Sequence, residues 1–257
     1  MSLFDHFRQE ERPFVERVLE WTERVRNRYE RIQTDFLDPR QAFIVQSLAG
    51  REAGVFFMHF GGYAEAERTR GMLYPEYMEP TEEDVGLALL NVTGSNRLLP
   101  LEHRDYLGSL LGLGIKREKF GDILVHPQCG QLIVAAEIAD YVRLHMHQVH
   151  RVNVVVENIP LCEIQVPAQS FRRLSFTVQS PRLDAIVSDV YRISRAKVLS
   201  PIRNGRVKVN WREVSDPSLY LAEGDVVSFK GFGRFKVTLL GGETKKGRVR
   251  LEVSVYD

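Results

Sequence analysis

The chain has 257 residues, 44% of them hydrophobic and 27% charged, enough to bury a real core in one to three domains. No stretch approaches the ~18–20 unbroken apolar residues of a membrane span. Met1-Ser2-Leu3-Phe4-Asp5-His6 has neither the basic nor the apolar region of a signal peptide, so no membrane partner is expected. The formal charge of +1 hides an asymmetry: residues 181–257 hold fifteen Lys/Arg against nine Asp/Glu, a net +6, and the rest carries −5. A basic module on a mildly acidic body is the electrostatic footprint of a phosphate-backbone binder. Cys129 and Cys162 form no CxxC pair and no disulfide framework, which fits a reducing cytoplasm.

Residues 1–78 read as a mostly helical region. Phe14, Val18, Trp21, Val25, Tyr29, Ile32 and Phe36 step by three and four, laying one apolar stripe along a single long helix. Asp38-Pro39 ends it, because a residue before proline is pushed out of the α region. Arg24, Arg28 and Arg31 mix with Glu16, Glu20, Glu23 and Glu30 on the opposite face, either as a solvated surface or as a second RNA contact. A shorter helix over Pro39–Leu48 and a strand over Val55–His59 follow. After Gly61-Gly62, another helix is expected over Tyr63–Arg70.

Residues 79–180 alternate differently. Val85–Val92 is an apolar run and Leu101–Leu113 has helical period, closed by Gly112 and Gly114. Asp122–His126 and Gln131–Ala135 flank Pro127-Gln128-Cys129-Gly130 as a hairpin would. Glu137–Val149 is helical again, and the last strand falls at Val152–Val156 or at Phe171–Val178. The order β-α-β-β-α-β predicts a ferredoxin-like, RRM-like middle domain in an α+β protein. An RNA-recognition motif reads bases with aromatics on its central strands. Val85–Val92 and Gln131–Ala135 carry none, so loops are better RNA candidates here than the sheet face. Pro160, Pro167 and Pro181 lead into the basic module and place the last boundary near 180.

In that module Arg182–Tyr191 reads as a short helix, and Ser194 as the N-cap of a second. Pro201 should break or restart the second helix, with Ser200 as a new cap. Gly205 supplies an αL stop, and Val207 and Val209 alternate with Arg206 and Lys208 as in a half-buried strand. Asp216-Pro217 and Glu223-Gly224-Asp225 are turns, and Val226–Phe229 is a return strand. An arginine fork grips phosphate in bidentate fashion, and each neutralised phosphate releases counterions. Arg195 also sits in a first helical turn, where free N–H groups favour an anion.

Arg182-Leu183-Asp184, Ile193-Ser194-Arg195-Ala196-Lys197, Ile202-Arg203-Asn204-Gly205-Arg206-Val207-Lys208-Val209-Asn210 and Gly224-Asp225-Val226-Val227 together resemble the S4 RNA-binding domain. The resemblance implies an S4-like (αL) RNA-binding domain over 181–257, with two helices on a small curled sheet. Its RNA-binding residues would be Arg182, Arg195, Lys197, Arg203, Arg206, Lys208, Asn210 and Arg212. Where that family often has Gly after Val-Asn, this chain has Trp211, which either closes the small core or stacks on a base.

Upstream, Gly114-Ile115-Lys116-Arg117-Glu118-Lys119-Phe120-Gly121-Asp122-Ile123 precedes the S4-like module. That order resembles the YlmH family of bacterial S4-domain proteins over essentially the full length. The resemblance implies a non-enzymatic factor that binds rRNA and peptidyl-tRNA on the large ribosomal subunit, in rescue or quality control of stalled translation. It also carries an older association with cell division. Lys116, Arg117 and Lys119 are then a second RNA contact, or a helix C-terminal cationic cap.

The rival readings are an RNA-modifying enzyme targeted by an S4 domain and a cell-division adaptor. Arg182-Leu183-Asp184 looks like the catalytic-aspartate motif of large-family pseudouridine synthases, but no Thr-Ser-Gly follows it. No GxSxG, Walker loop or GxGxxG is present. His126, Cys129, His145, His147 and His150 lack the CxxC or HExxH spacing of a zinc site. No catalytic residue, metal or cofactor is expected, and the protein is expected to be a monomer.

Overall fold

A computed structural model describes residues 7–94, 100–168, 171–243 and 247–256. The opening Met1–His6 and two lysines of the basic count, Lys245 and Lys246, lie outside the described residues. The chain forms two compact units, Met1–Pro167 and Ala168–Asp257.

The first unit opens with α1 (Arg12–Arg28), which stops where Tyr29 turns left-handed at φ 55°. The single long helix expected to Phe36 is therefore cut short, and Ile32–Leu37 is a strand, β1. The step of four from Ile32 to Phe36 is also an even number, so it suits a strand as well as a helix. Ile32, Thr34 and Phe36 are all buried along β1. α2 (Pro39–Ala49) starts in a capping box. The Gln41 N–H donates to Asp38 Oδ1 at 2.8 Å, and the Asp38 N–H to Gln41 Oε1 at 2.9 Å.

β2 (Val55–Phe60) and β3 (Thr69–Pro75) complete an antiparallel sheet in the order β1-β3-β2. The helix expected over Tyr63–Arg70 is not formed. Asp122 takes the N–H groups of Glu67 and Arg68 at 2.7 and 3.1 Å, and the Tyr63 hydroxyl at 2.8 Å. Those amides are thereby withdrawn from any helical ladder.

The middle of the chain holds β4 (Leu87–Gly94), α3 (His103–Gly112), β5 (Phe120–Val125), β6 (Cys129–Ala135), α4 (Ala136–His145), β7 (Gln148–Val149) and β8 (Val152–Ile159). The antiparallel order β5-β6-β4-β8-β7 is that of the expected split βαβ, with β7 added at one edge. Its last strand is Val152–Ile159. α4 ends earlier than the expected Val149, and a left-handed His150 (φ 53°) turns β7 into β8.

One sheet face packs Leu90, Val92, Leu132 and Val134 on Tyr106, Leu110, Ala139 and Val142 of the two helices. The face an RNA-recognition motif would leave open is also buried. Leu89, Leu124 and Ile133 lie with Phe36 of β1 and with Leu161 and Ile164. Gln131 fastens the covering segment, donating to Glu163 O at 3.0 Å and accepting from Gln165 N–H at 2.8 Å.

The second unit holds β9 (Phe171–Val178), α5 (Leu183–Tyr191), α6 (Arg195–Arg203), β10 (Val207–Val209), β11 (Arg212–Glu213), β12 (Val226–Phe229), β13 (Gly233–Glu243) and β14 (Val249–Tyr256). They form one sheet in the order β11-β10-β12-β13-β14-β9. β9 pairs with β14 along its whole length, from Phe171↔Tyr256 to Val178↔Val249. The unit therefore begins before the boundary expected near 180. Ile186, Val187, Val190, Val198 and Ile202 pack onto Val207, Val227, Phe235, Val237 and Val253, giving the two helices on a sheet that the S4 resemblance implies.

α6 runs unbroken through Pro201, contrary to expectation. The proline lies in the last turn, where its missing N–H forfeits a single bond, and buried Val198 and Ile202 hold the helix on either side of it. Among the described residues no helix is long and apolar enough to cross a membrane.

Candidate nucleic-acid interface

The basic residues of the second unit are organised around one carboxylate. Asp184, in the first turn of α5, has a side chain 6% exposed. It accepts from Arg182 Nε and Nη2 at 3.1 and 3.2 Å and from Arg195 Nη2 at 2.8 Å. Burial pushes the Asp184 carboxyl up. The hydrogen bonds and charges of Arg182 and Arg195 outweigh it and hold the pKa below the ordinary carboxylate value. Asp184 stays ionised and fixes two guanidinium groups from the starts of two different helices. Arg195 remains 53% exposed with further N–H groups to donate.

Both arginines line a 360 Å³ groove with Val178, Gln179, Ser180, Ala185, Asp189 and Arg248. Arg248 is the cation of this groove that was not among the expected RNA contacts. Its Nε donates to Thr177 Oγ1 at 3.0 Å, and its Nη2 to the Thr177 carbonyl. Only the β14–β9 pairing brings it there, so no local pattern could have found it.

The remaining expected contacts divide. Lys197 and Arg203 stand exposed on α6, and Arg206 follows it. Arg206 Nη2 reaches Lys230 O at 3.4 Å. Lys208 lies 3.9 Å from Glu213 in an exposed pair of little energetic weight. Arg212 is exposed at the start of β11.

Asn210 does structural work instead. It donates to Asp225 Oδ1 at 2.8 Å and accepts the Val226 N–H at 2.9 Å. With Trp211 it forms the two-residue turn between β10 and β11, at φ 49° and 62°. Both central residues of a type I′ turn have positive φ, which explains why Asn-Gly is favoured there. Trp211 is half-buried at this turn rather than in the core beneath it.

The Lys116–Lys119 segment of the first unit behaves differently. Arg117 donates to Phe120 O at 2.7 Å and Gly121 O at 3.3 Å, with its guanidinium 4.5 Å from the Phe120 ring centre. Burial, with Arg68 nearby, pushes its pKa down to about 10. Lys119 bonds Asp35 at 2.6 Å and Glu137 at 3.4 Å. Lys116 is the cation of this segment that points to solvent.

The histidines and cysteine weighed as a zinc set are not brought together. His145 stacks on Tyr141 at 4.3 Å, and among the described residues no three His, Cys, Asp or Glu side chains gather to hold a metal.

Two family profiles match the chain, “YlmH, N-terminal” over residues 10–78 and “Putative RNA-binding domain in YlmH” over residues 80–163. A Bacillus subtilis (strain 168) protein named ribosome-associated protein quality control protein P2 is 42% identical over 97% of this chain and 97% of its own length. The chain belongs to the YlmH family. Another YlmH structure, described as cell division protein ylmH from Streptococcus pneumoniae, matches with a TM-score of 0.57 at 27% identity. It covers 65% of this chain and 100% of that one. In this YlmH chain both profile matches lie within the first unit, whereas the arginine-lined groove lies in the second.

Proposed function

We propose that this YlmH-family chain is a cytoplasmic, ribosome-associated RNA-binding factor of translation quality control that works by binding rather than by catalysis. Its targets are rRNA of the large subunit and peptidyl-tRNA. The observation that carries the reading is the Arg182–Asp184–Arg195 clamp at the mouth of the groove. Two guanidinium groups share one buried counter-charge, which leaves a net positive site whose remaining N–H groups, chiefly those of Arg195, are open to phosphate. Arg248, Lys197, Arg203, Arg206, Lys208 and Arg212 extend the field, and Lys116 is the candidate for a second contact from the first unit. The Bacillus subtilis relative's name supplies the ribosome and the quality-control context.

The test is co-sedimentation of the full-length protein with bacterial 30S, 50S and 70S particles over a salt series, beside an Arg195→Ala/Arg203→Ala variant. Arg182 still pairs with Asp184 in that variant. Salt-sensitive association with 50S is expected, and the variant's salt slope should fall by about one unit per lost phosphate contact. A folded wild-type protein that follows no particle at any salt sinks the reading. The name of the Streptococcus pneumoniae relative favours a second reading, an adaptor for division proteins. Its mark is a protein pull-down that survives nuclease treatment and removal of residues 168–257.

A further inference from the structure

The turn joining β12 to β13 is Lys230-Gly231-Phe232-Gly233. Its glycines take φ of 90° and 118°, values open to glycine and strained for other residues. The Phe232 N–H closes the turn on Phe229 O at 2.9 Å. This geometry lays the Phe232 ring on buried Phe229, with centroids 4.3 Å apart and planes 21° from parallel. Tyr191 braces both rings, at 5.5 Å from Phe232 and 5.8 Å from Phe229. One face of Phe232 is thus fixed against the core, yet the residue is 48% exposed.

A single exposed aromatic is ordinary on a protein surface. This one has two exposed cations at its turn. Lys230 stands exposed beside it, and the Lys230 N–H donates to Arg206 O at 3.0 Å, which brings Arg206 alongside. An apolar ring beside two exposed cations offers one base face and neighbouring phosphate contacts to an RNA strand.

We infer that Phe232 is a stacking platform for an unpaired RNA base, with Arg206 and Lys230 neutralising phosphate beside it. Because Phe229 and Tyr191 already hold the ring, little side-chain freedom is lost on binding. Every base has a π-face, so the platform selects unpaired over paired nucleotides rather than one sequence. The inference rests on the RNA-binding reading above and adds to the arginine clamp a separate subsite of different chemistry.

The experiment compares full-length wild type, Phe232→Ala, Phe232→Trp and Arg206→Ala, each checked for an unchanged melting temperature. Binding is measured over a salt series to intact 50S subunits and to deproteinised 23S rRNA. Phe232→Ala should bind about five- to a hundredfold more weakly to both, with an unchanged salt slope, because stacking releases no counterions. Phe232→Trp should retain affinity, and Arg206→Ala should lower the slope by about one. Phe232→Ala affinity equal to that of a tightly binding, salt-sensitive wild type overturns the platform and leaves the RNA reading standing. A loss seen on subunits but not on bare rRNA assigns the ring to a ribosomal protein and also overturns it. If the wild type itself binds neither probe, the RNA reading fails, and the platform with it.

Discussion

Three arginines of the first unit, Arg68, Arg70 and Arg117, turn their guanidinium groups inward, whereas those of α6 in the second stand outside its core. Arg70, 5% exposed, donates to Thr34 O at 2.9 Å, to Gly86 O at 2.8 Å and to both Glu137 oxygens at 2.8 and 3.0 Å. Arg68 donates to Phe36 O at 2.9 Å, and Arg117 caps the Phe120 ring. In the second unit an apolar core closes beneath the helices, and Arg195, Lys197, Arg203 and Arg206 stand on its outside. Burying a guanidinium is tolerable only when carbonyls and carboxylates take its N–H groups, and every group so taken is withdrawn from phosphate. Formal charge therefore locates a nucleic-acid surface less well than the donor capacity left over after folding.

That contrast can be tested from its strongest point downward. Arg70→Met should cost about 3–4 kcal/mol in urea unfolding, because two carbonyls and Glu137 lose their donor. The salt slope of RNA binding should not change; a flattened slope would mean that Arg70 reaches RNA after all.

Removing both arginines around Asp184, as Arg182→Ala/Arg195→Ala, should cost about 2 kcal/mol at neutral pH and should invert the pH dependence. With the arginines present the folded carboxyl lies below its ordinary value. Its contribution is then present above about pH 4 and is lost as pH falls through the folded value. In the double variant only burial remains, the folded value rises above the ordinary one, and stability falls as pH climbs through that range. Denaturation midpoints from about pH 3 to 7 decide it, and parallel curves for the two proteins refute the clamp.

A smaller pair of effects sets neighbours against each other. Arg117→Ala should lose about 1–2 kcal/mol of stability with RNA affinity unchanged. Lys116→Ala should leave stability alone and weaken RNA binding about two- to threefold at low salt. The opposite pattern would turn the segment's cations around. Smallest of all, Trp211→Gly relieves a left-handed tryptophan but removes a half-buried ring. The net change is expected to stay within about 1 kcal/mol, and a loss above about 2 kcal/mol would show that the ring's packing dominates.

The sequence by itself determined the features whose causes are local. Ser194 immediately before α6, though without a side-chain cap bond, Gly205 after it, the alternation of Val207 and Val209, and a helix from Pro39 all stand where local signals put them. The βαββαβ order and the basic module that carries the groove were legible for the same reason, and so was the family.

Tertiary structure decided whatever depended on a distant partner. Tyr63–Arg70 has helical composition, but Asp122, which comes 55 residues after Glu67, takes its amides. Arg248 joins the groove only through the pairing of β14 with β9, and the same pairing moves Phe171–Val178 into the second unit. Lys119 looks as free as Lys116 in the sequence, until the carboxylate of Asp35, 84 residues before it, closes on it. A hydrogen bond to a neighbour three or four residues away leaves its signature in spacing. A bond to a residue fifty positions away leaves none, and in this protein such bonds determine which cations remain for RNA.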